Sequence, residues 1–186
     1  MEALLVSIGV VALAEIGDKT QLLTLVLAAR YKRPWPLVSG IFVATLVNHF
    51  IAGAVGAWLG RSLDADALRW VLGLSFLAMA AWMLVPDKLE DGTGDVRRLG
   101  GVFLTTTLLF FLLEIGDKTQ IATVALAARF EALTAVVIGT TVGMLLANAP
   151  VAFFGEALAR RVPVRTMHVL AALVFAGLGL AALLFG

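Results

Sequence analysis

Cysteine is absent from the 186-residue chain, which excludes a disulfide framework, zinc–thiolate sites and cysteine redox chemistry. Charge is scarce as well. Asp, Glu, Lys and Arg make up 15% of the residues, where a soluble domain carries about a quarter. The formal charge is +1 with no basic cluster, which argues against a nucleic-acid partner. There is no H-E-x-x-H and no convincing nucleophile and base pair, so nothing points to an enzyme. Met1-Glu2-Ala3 lacks the basic start of a signal peptide, so the first apolar run is expected to be retained. What remains is hydrocarbon: 61% of the residues are hydrophobic and the mean hydropathy is +0.99. One small core cannot bury that much apolar surface in water, and the expected solvent is lipid.

A membrane span needs roughly 20 apolar residues. Residues 37–60, 70–86, 132–155 and 169–186 are charge-free runs of about that length. Residues 3–29 and 99–128 are also long and apolar, but each is interrupted near its middle by Glu, Asp and Lys. Backbone polar groups in lipid must be satisfied internally, and runs this long exceed barrel strands. The expectation is an all-α membrane protein of six transmembrane helices.

The interrupted runs are copies of each other. Residues 15–30 read EIGDKTQLLTLVLAAR and residues 114–129 read EIGDKTQIATVALAAR, identical at 12 of 16 positions with an offset of 99. Gly40 and Gly139 keep that offset. The chain reads as two three-helix repeats, 1–86 and 99–186, joined by a polar linker at 87–98 that follows Pro86. Three spans per unit is an odd number, so the second copy is expected to be inverted. Outside the motifs, Arg30, Lys32, Arg33, Lys88, Arg97, Arg98, Arg160, Arg161 and Arg165 fall on one side of the membrane and only Arg61, Arg69 and Arg129 on the other. That asymmetry puts the linker in the cytoplasm and both termini outside.

Inverted repeats place a site near the midplane, where the copies meet. If each motif is a continuous helix, Glu15 and Asp18 share a face, Gln21 extends it, and Glu114, Asp117 and Gln120 do the same. Thr24 and Thr123 continue that face. Gly17 and Gly116 permit close helix approach or a local break that frees carbonyl ligands. Lys19 and Lys118 can pair with the preceding Glu or with an acid of the other repeat. Four negative and two positive charges leave an excess of two negative charges, which a divalent cation would balance. An intramembrane charge costs about 2.5 to 3.5 kcal/mol on insertion scales, so six at one depth point to use rather than to a structural lock. Carboxylate, amide and hydroxyl oxygens suit Mg2+, Ca2+ or Mn2+. Clustered acids in a low dielectric also hold protons more readily. The same groups can therefore exchange metal for protons.

Other residues carry weaker signals. Thr20 and Thr119 can bond to their own helix or reach the ion. Asn48 and Asn148 can line the site or bridge helices. His49 can be a nitrogen ligand, a proton carrier or a packing residue. His168 is expected to be solvated at a cytoplasmic boundary, and the Met, Phe and Trp residues to face lipid or the interface. Two other classes fit the composition. In a small-solute or amino-acid exporter the carboxylates would hold an ammonium group, and a membrane assembly factor would not need them.

The duplicated E-I-G-D-K-T-Q, the A-A-R closing each motif helix, and G-T-T-V-G-M-L-L-A-N-A-P at 139–150 resemble a small cation/proton exchanger family once catalogued as uncharacterised protein family 16. It includes Golgi manganese/calcium transporters and bacterial manganese exporters. The resemblance implies export of Mn2+ from the cell through the inner (plasma) membrane in exchange for protons, with Ca2+ as a second candidate cargo and no permanently bound cofactor. The family's acidic motif falls on Glu15, Gly17, Asp18, Lys19 and Thr20, and on Glu114, Gly116, Asp117, Lys118 and Thr119.

Overall fold

The computed structural model describes residues 1–85, 100–155 and 163–185. Among them the chain is all-α, with α1 (Glu2–Glu15), α2 (Lys19–Tyr31), α3 (Pro34–Ser62), α4 (Ala65–Met83), α5 (Val102–Glu114), α6 (Lys118–Phe130), α7 (Leu133–Phe154) and α8 (Val164–Phe185). The expected linker at 87–98 lies outside the described residues, as do Pro86, Arg160 and Arg161. Four helices, α3, α4, α7 and α8, are long and apolar enough to cross a membrane.

Each motif-bearing run, where Gly17 and Gly116 left a local break open, is two helices separated by a turn. Ile16 has φ −67° and ψ 114°, and Gly17 has φ 84°. Ile115 has φ −63° and ψ 117°, and Gly116 has φ 77°. These are the angles of a type II turn, whose third residue needs a positive φ and hence glycine. The turn is closed by the Asp18 N–H donating to the Glu15 carbonyl at 3.1 Å and the Asp117 N–H to the Glu114 carbonyl at 3.1 Å. Asp18 and Asp117 then cap the next helix, their side chains accepting from the Thr20 and Thr119 N–H groups at 3.4 and 3.5 Å. An N-cap aspartate supplies an acceptor to N–H groups that have no partner within the helix. One short word, Gly-Asp, thus ends one helix and starts another.

The halves interlock rather than sit side by side. α1 and α2 pack on α7, while α5 and α6 pack on α3; α3 also meets α7, and α4 meets α8. Glycines permit the closest approaches. A Cβ on Gly40 would lie 2.8 Å from the Phe103 carbonyl oxygen and 2.8 Å from Thr106 Cβ; a Cβ on Gly139 would lie 2.7 Å from the Leu4 carbonyl oxygen and 2.8 Å from Ser7 Cβ. The second set of contacts is the first with the halves exchanged, so the internal repeat is also a repeat of packing.

Two expectations about side chains are corrected by this packing. Phe76, Phe110 and Phe175 are buried rather than lipid-facing, with Phe76 and Phe175 stacked at 6.3 Å between α4 and α8. Met79, Met83 and Met144 are buried too, whereas Trp35, Trp58 and Trp70 are exposed. His168, expected in solvent, is buried in α8. A lipid-solvated bundle gains nothing from sorting apolar side chains by hydrophobicity alone, so their placement follows shape.

Gly40→Leu and Gly139→Leu should each destabilise the protein by about 1 to 3 kcal/mol through overpacking, read as a lower melting temperature in detergent. Gly9→Leu and Gly177→Leu, where a Cβ meets nothing within 4 Å, should be nearly neutral. Equal melting of the two pairs would show that the glycine contacts do not hold the halves together.

Candidate cation site

The two turns bring four helix ends together. Glu15 closes α1, Asp18 caps α2, Glu114 closes α5 and Asp117 caps α6. All four carboxylates are buried. Oxygens from Glu15, Glu114 and Asp117 all lie within 4.8 Å of one another. The shared helix face expected for Glu15 with Asp18, and for Glu114 with Asp117, is not what assembles them: the helix stops between each pair, and the turn does the work.

Each lysine takes the aspartate of the opposite half. Lys19 Nζ lies 2.8 Å from Asp117 Oδ1, and Lys118 Nζ lies 3.8 Å from Asp18 Oδ1. Pairing with the preceding glutamate, the other option the spacing allowed, does not occur. Among the described residues neither Glu15 nor Glu114 has an ion pair. Two lysines thus balance two aspartates, and the excess of negative charge sits on the two glutamates.

The threonines serve those glutamates. Thr20 Oγ1 donates to Glu15 Oε2 at 2.6 Å and Thr119 Oγ1 to Glu114 Oε2 at 3.0 Å. The second oxygens, Glu15 Oε1 and Glu114 Oε1, are buried with no hydrogen-bond partner among the described residues. A buried acceptor without a donor is costly and calls for an explanation.

The amides divide between support and site. Gln21 and Gln120 use their side-chain oxygens to accept the N–H of Gly17 (2.9 Å) and Gly116 (2.7 Å), so they hold the turns. Gln21 Nε2 also donates to the Ala147 carbonyl at 3.0 Å. Asn48 Nδ2 donates to the Phe111 carbonyl of α5 at 3.0 Å. Asn148 Nδ2, by contrast, lies 3.4 Å from Glu15 Oε2, and its Oδ1 accepts from Thr24 Oγ1 at 2.7 Å. Thr24 Oγ1 is also 2.9 Å from the Thr20 carbonyl, and Thr123 Oγ1 donates to the Thr119 carbonyl at 2.7 Å. His49 is fully buried, and neither ring nitrogen has a hydrogen-bond partner among the described residues. Sequence reasoning missed Met144, whose Sδ lies 3.1 Å from Asn148 Nδ2. The available signal was its position one helical turn before Asn148.

The two motifs match in sequence but not in surroundings. The Lys19 side chain is 25% exposed and that of Lys118 only 2%. Val164 of α8 covers the turn at Gly17, whereas a Cβ on Gly116 would meet nothing within 4 Å.

Acids gathered at the ends of broken helices inside an apolar bundle define a membrane carrier of cations. The family model described as "Divalent cation/proton antiporter GDT1" matches residues 3–91 and 102–186. A Vibrio cholerae protein named "Putative manganese exporter" is 48% identical over 186 residues, covering 100% of this chain and 92% of that protein. GDT1-like protein 3 of Arabidopsis thaliana is 31% identical over 202 residues, covering 95% of this chain and 68% of that protein. The divalent cation/proton antiporter GDT1 of Saccharomyces cerevisiae is 23% identical over 228 residues, covering 94% and 81%. No solved structure matches the chain. The chain belongs to the GDT1 divalent cation/proton antiporter family, a family of transporters and not of enzymes.

Removing one member of a buried ion pair strands the other, at a cost of about 3 to 5 kcal/mol. Lys118→Met should therefore lower the melting temperature sharply, and adding Asp18→Asn should recover part of the loss. If the double variant melts no higher than the single one, the Lys118–Asp18 pair is not what Lys118 contributes.

Proposed function

We propose that this antiporter exports Mn2+ across the inner (plasma) membrane in exchange for protons, with Ca2+ as a second cargo. The observation that carries the reading is the pair of buried glutamates left without ion pairs beside two cross-paired lysines. The excess of two negative charges equals one divalent cation or two protons. Either load makes the site neutral, and the unloaded site keeps a charge that is expensive to carry through a low dielectric. Loaded forms can then rock and the unloaded form cannot, so cation and protons are exchanged rather than leaked. Glu15, Glu114, Asp117 and Asp18 are the acidic groups of the site, and Thr20, Thr119 and Asn148 offer neutral oxygens beside them. Oxygen donors of this kind suit Mn2+ and Ca2+, and the name carried by the Vibrio cholerae relative favours Mn2+.

In this reading α1 with α2, and α5 with α6, each make one broken crossing. At 1.5 Å per residue these pairs measure about 40 Å, enough for a bilayer core of roughly 30 Å. With α3, α4, α7 and α8 that makes six crossings in two inverted repeats, termini outside and residues 87–98 in the cytoplasm.

Proteoliposomes test the exchange. An acidic lumen should drive Mn2+ uptake and the lumen should become more alkaline as Mn2+ enters. Glu15→Gln and Glu114→Gln should each reduce both signals to background. Because one Mn2+ replaces two protons, clamping the membrane potential should leave the rate unchanged. Mn2+ flux indifferent to the pH gradient would sink the exchange reading, and strong voltage dependence would sink the one-for-two count.

A further inference from the structure

The acidic motifs are near copies, but the helices that close over them differ. At the offset of 99, Met144 and Asn148 of α7 correspond to Thr45 and His49 of α3. On the Glu15 side, Asn148 Nδ2 has three acceptors around it: Glu15 Oε2 at 3.4 Å, the Met144 carbonyl at 3.2 Å and Met144 Sδ at 3.1 Å. An amide nitrogen carries two hydrogens, so one acceptor is surplus. Met144 is fully buried, and leucine would fill nearly the same volume. Packing alone does not call for sulfur at this place.

The geometry points to Met144 as the residue that sets the metal preference, its thioether joining the cation held at Glu15 and favouring Mn2+ over Ca2+ and Mg2+. The amide NH2 of Asn148 carries positive partial charge toward Glu15. A divalent cation taking that carboxylate repels it, and the amide turns its oxygen inward or withdraws. Sδ then loses its N–H neighbour, and the three rotatable bonds of the methionine side chain let it swing toward the metal. Ca2+ and Mg2+ bind hard oxygens and gain little from sulfur, whereas a d-block ion can accept it. Thr45, at the matching position of the other half, offers only a hydroxyl, buried and without a hydrogen-bond partner among the described residues. At this position a thioether is therefore available in one half alone. The inference rests on the Mn2+/proton exchange proposed above.

Two measurements on the purified, reconstituted chain test it. In the first, Mn2+ uptake is competed with rising Ca2+ or Mg2+. Met144→Leu should lower the Mn2+-over-Ca2+ preference about tenfold or more, the scale on which groups around a metal tune its affinity. Met79→Leu, buried in α4, should retain the wild-type preference. In the second, Cd2+ serves as a sulfur-seeking probe in X-ray absorption. The chain has no cysteine and five methionines, so a sulfur neighbour of bound Cd2+ must be a thioether, expected in wild type and lost in Met144→Leu. A wild-type preference kept by Met144→Leu, or a wild-type Cd2+ spectrum with oxygen and nitrogen neighbours only, overturns the assignment. If Met144→Leu does not fold, a variant with Met79, Met83 and Met167 replaced by leucine should keep the sulfur neighbour, and its loss there overturns the assignment. Failure of wild type to move Mn2+ would instead count against the exchange reading, and the Cd2+ spectrum would still judge Met144.

Discussion

Keeping six ionisable side chains together inside an apolar bundle is the constraint that shapes the rest of the molecule. The cost is met by pairing across the halves, Lys19 with Asp117 and Lys118 with Asp18. Because both motif lysines, Lys19 and Lys118, depend on the other repeat, neither motif is electrostatically complete alone. The pairing also sorts the acids by role. The aspartates are tied up with lysines and helix N-termini, and the glutamates have no ion pair among the described residues. A turn enables both assignments, since it lets one residue end a helix and a residue three further on begin another.

The repeat and its acidic words were legible in the sequence because charge in an apolar chain is too costly to be accidental. Geometry was less so. Spacing by three makes Glu15 and Asp18 neighbours in a helix and also in a type II turn, so the right residues were expected together for a partly wrong reason. Gly17 and Gly116 hinted at a break, but whether a glycine bends, packs or breaks a helix depends on what surrounds it. The partner of each motif lysine and the burial of His168 and Met144 are set by neighbours on other helices, and the turn-holding bonds of Gln21 and Gln120, though local, exist only once the helix breaks at Gly17 and Gly116. Local periodicity carries no information about them.

Near-identical motifs in unlike surroundings have their own meaning. Lys19 is partly open and Lys118 sealed; the Gly17 turn is covered by Val164 and the Gly116 turn is not. A bundle of two equivalent halves that adopts an asymmetric arrangement has a second arrangement available in which the halves exchange surroundings. The more alike the halves, the closer the two lie in energy, and a small difference in affinity for a load is then enough to shift the population.

The glycine contact between α1 and α7 also bears on how the protein is made. Leu4 and Ser7 pack on Gly139, a segment synthesised well over a hundred residues later. At ribosomal speeds of about 5 to 20 residues per second, the first helix waits on the order of ten seconds for its partner. Through most of that interval Glu15, Asp18 and Lys19 lack their counterparts at 114–118. The nascent chain must shelter them in the insertion machinery or near the membrane surface, so assembly of the first half is governed by the arrival of the second.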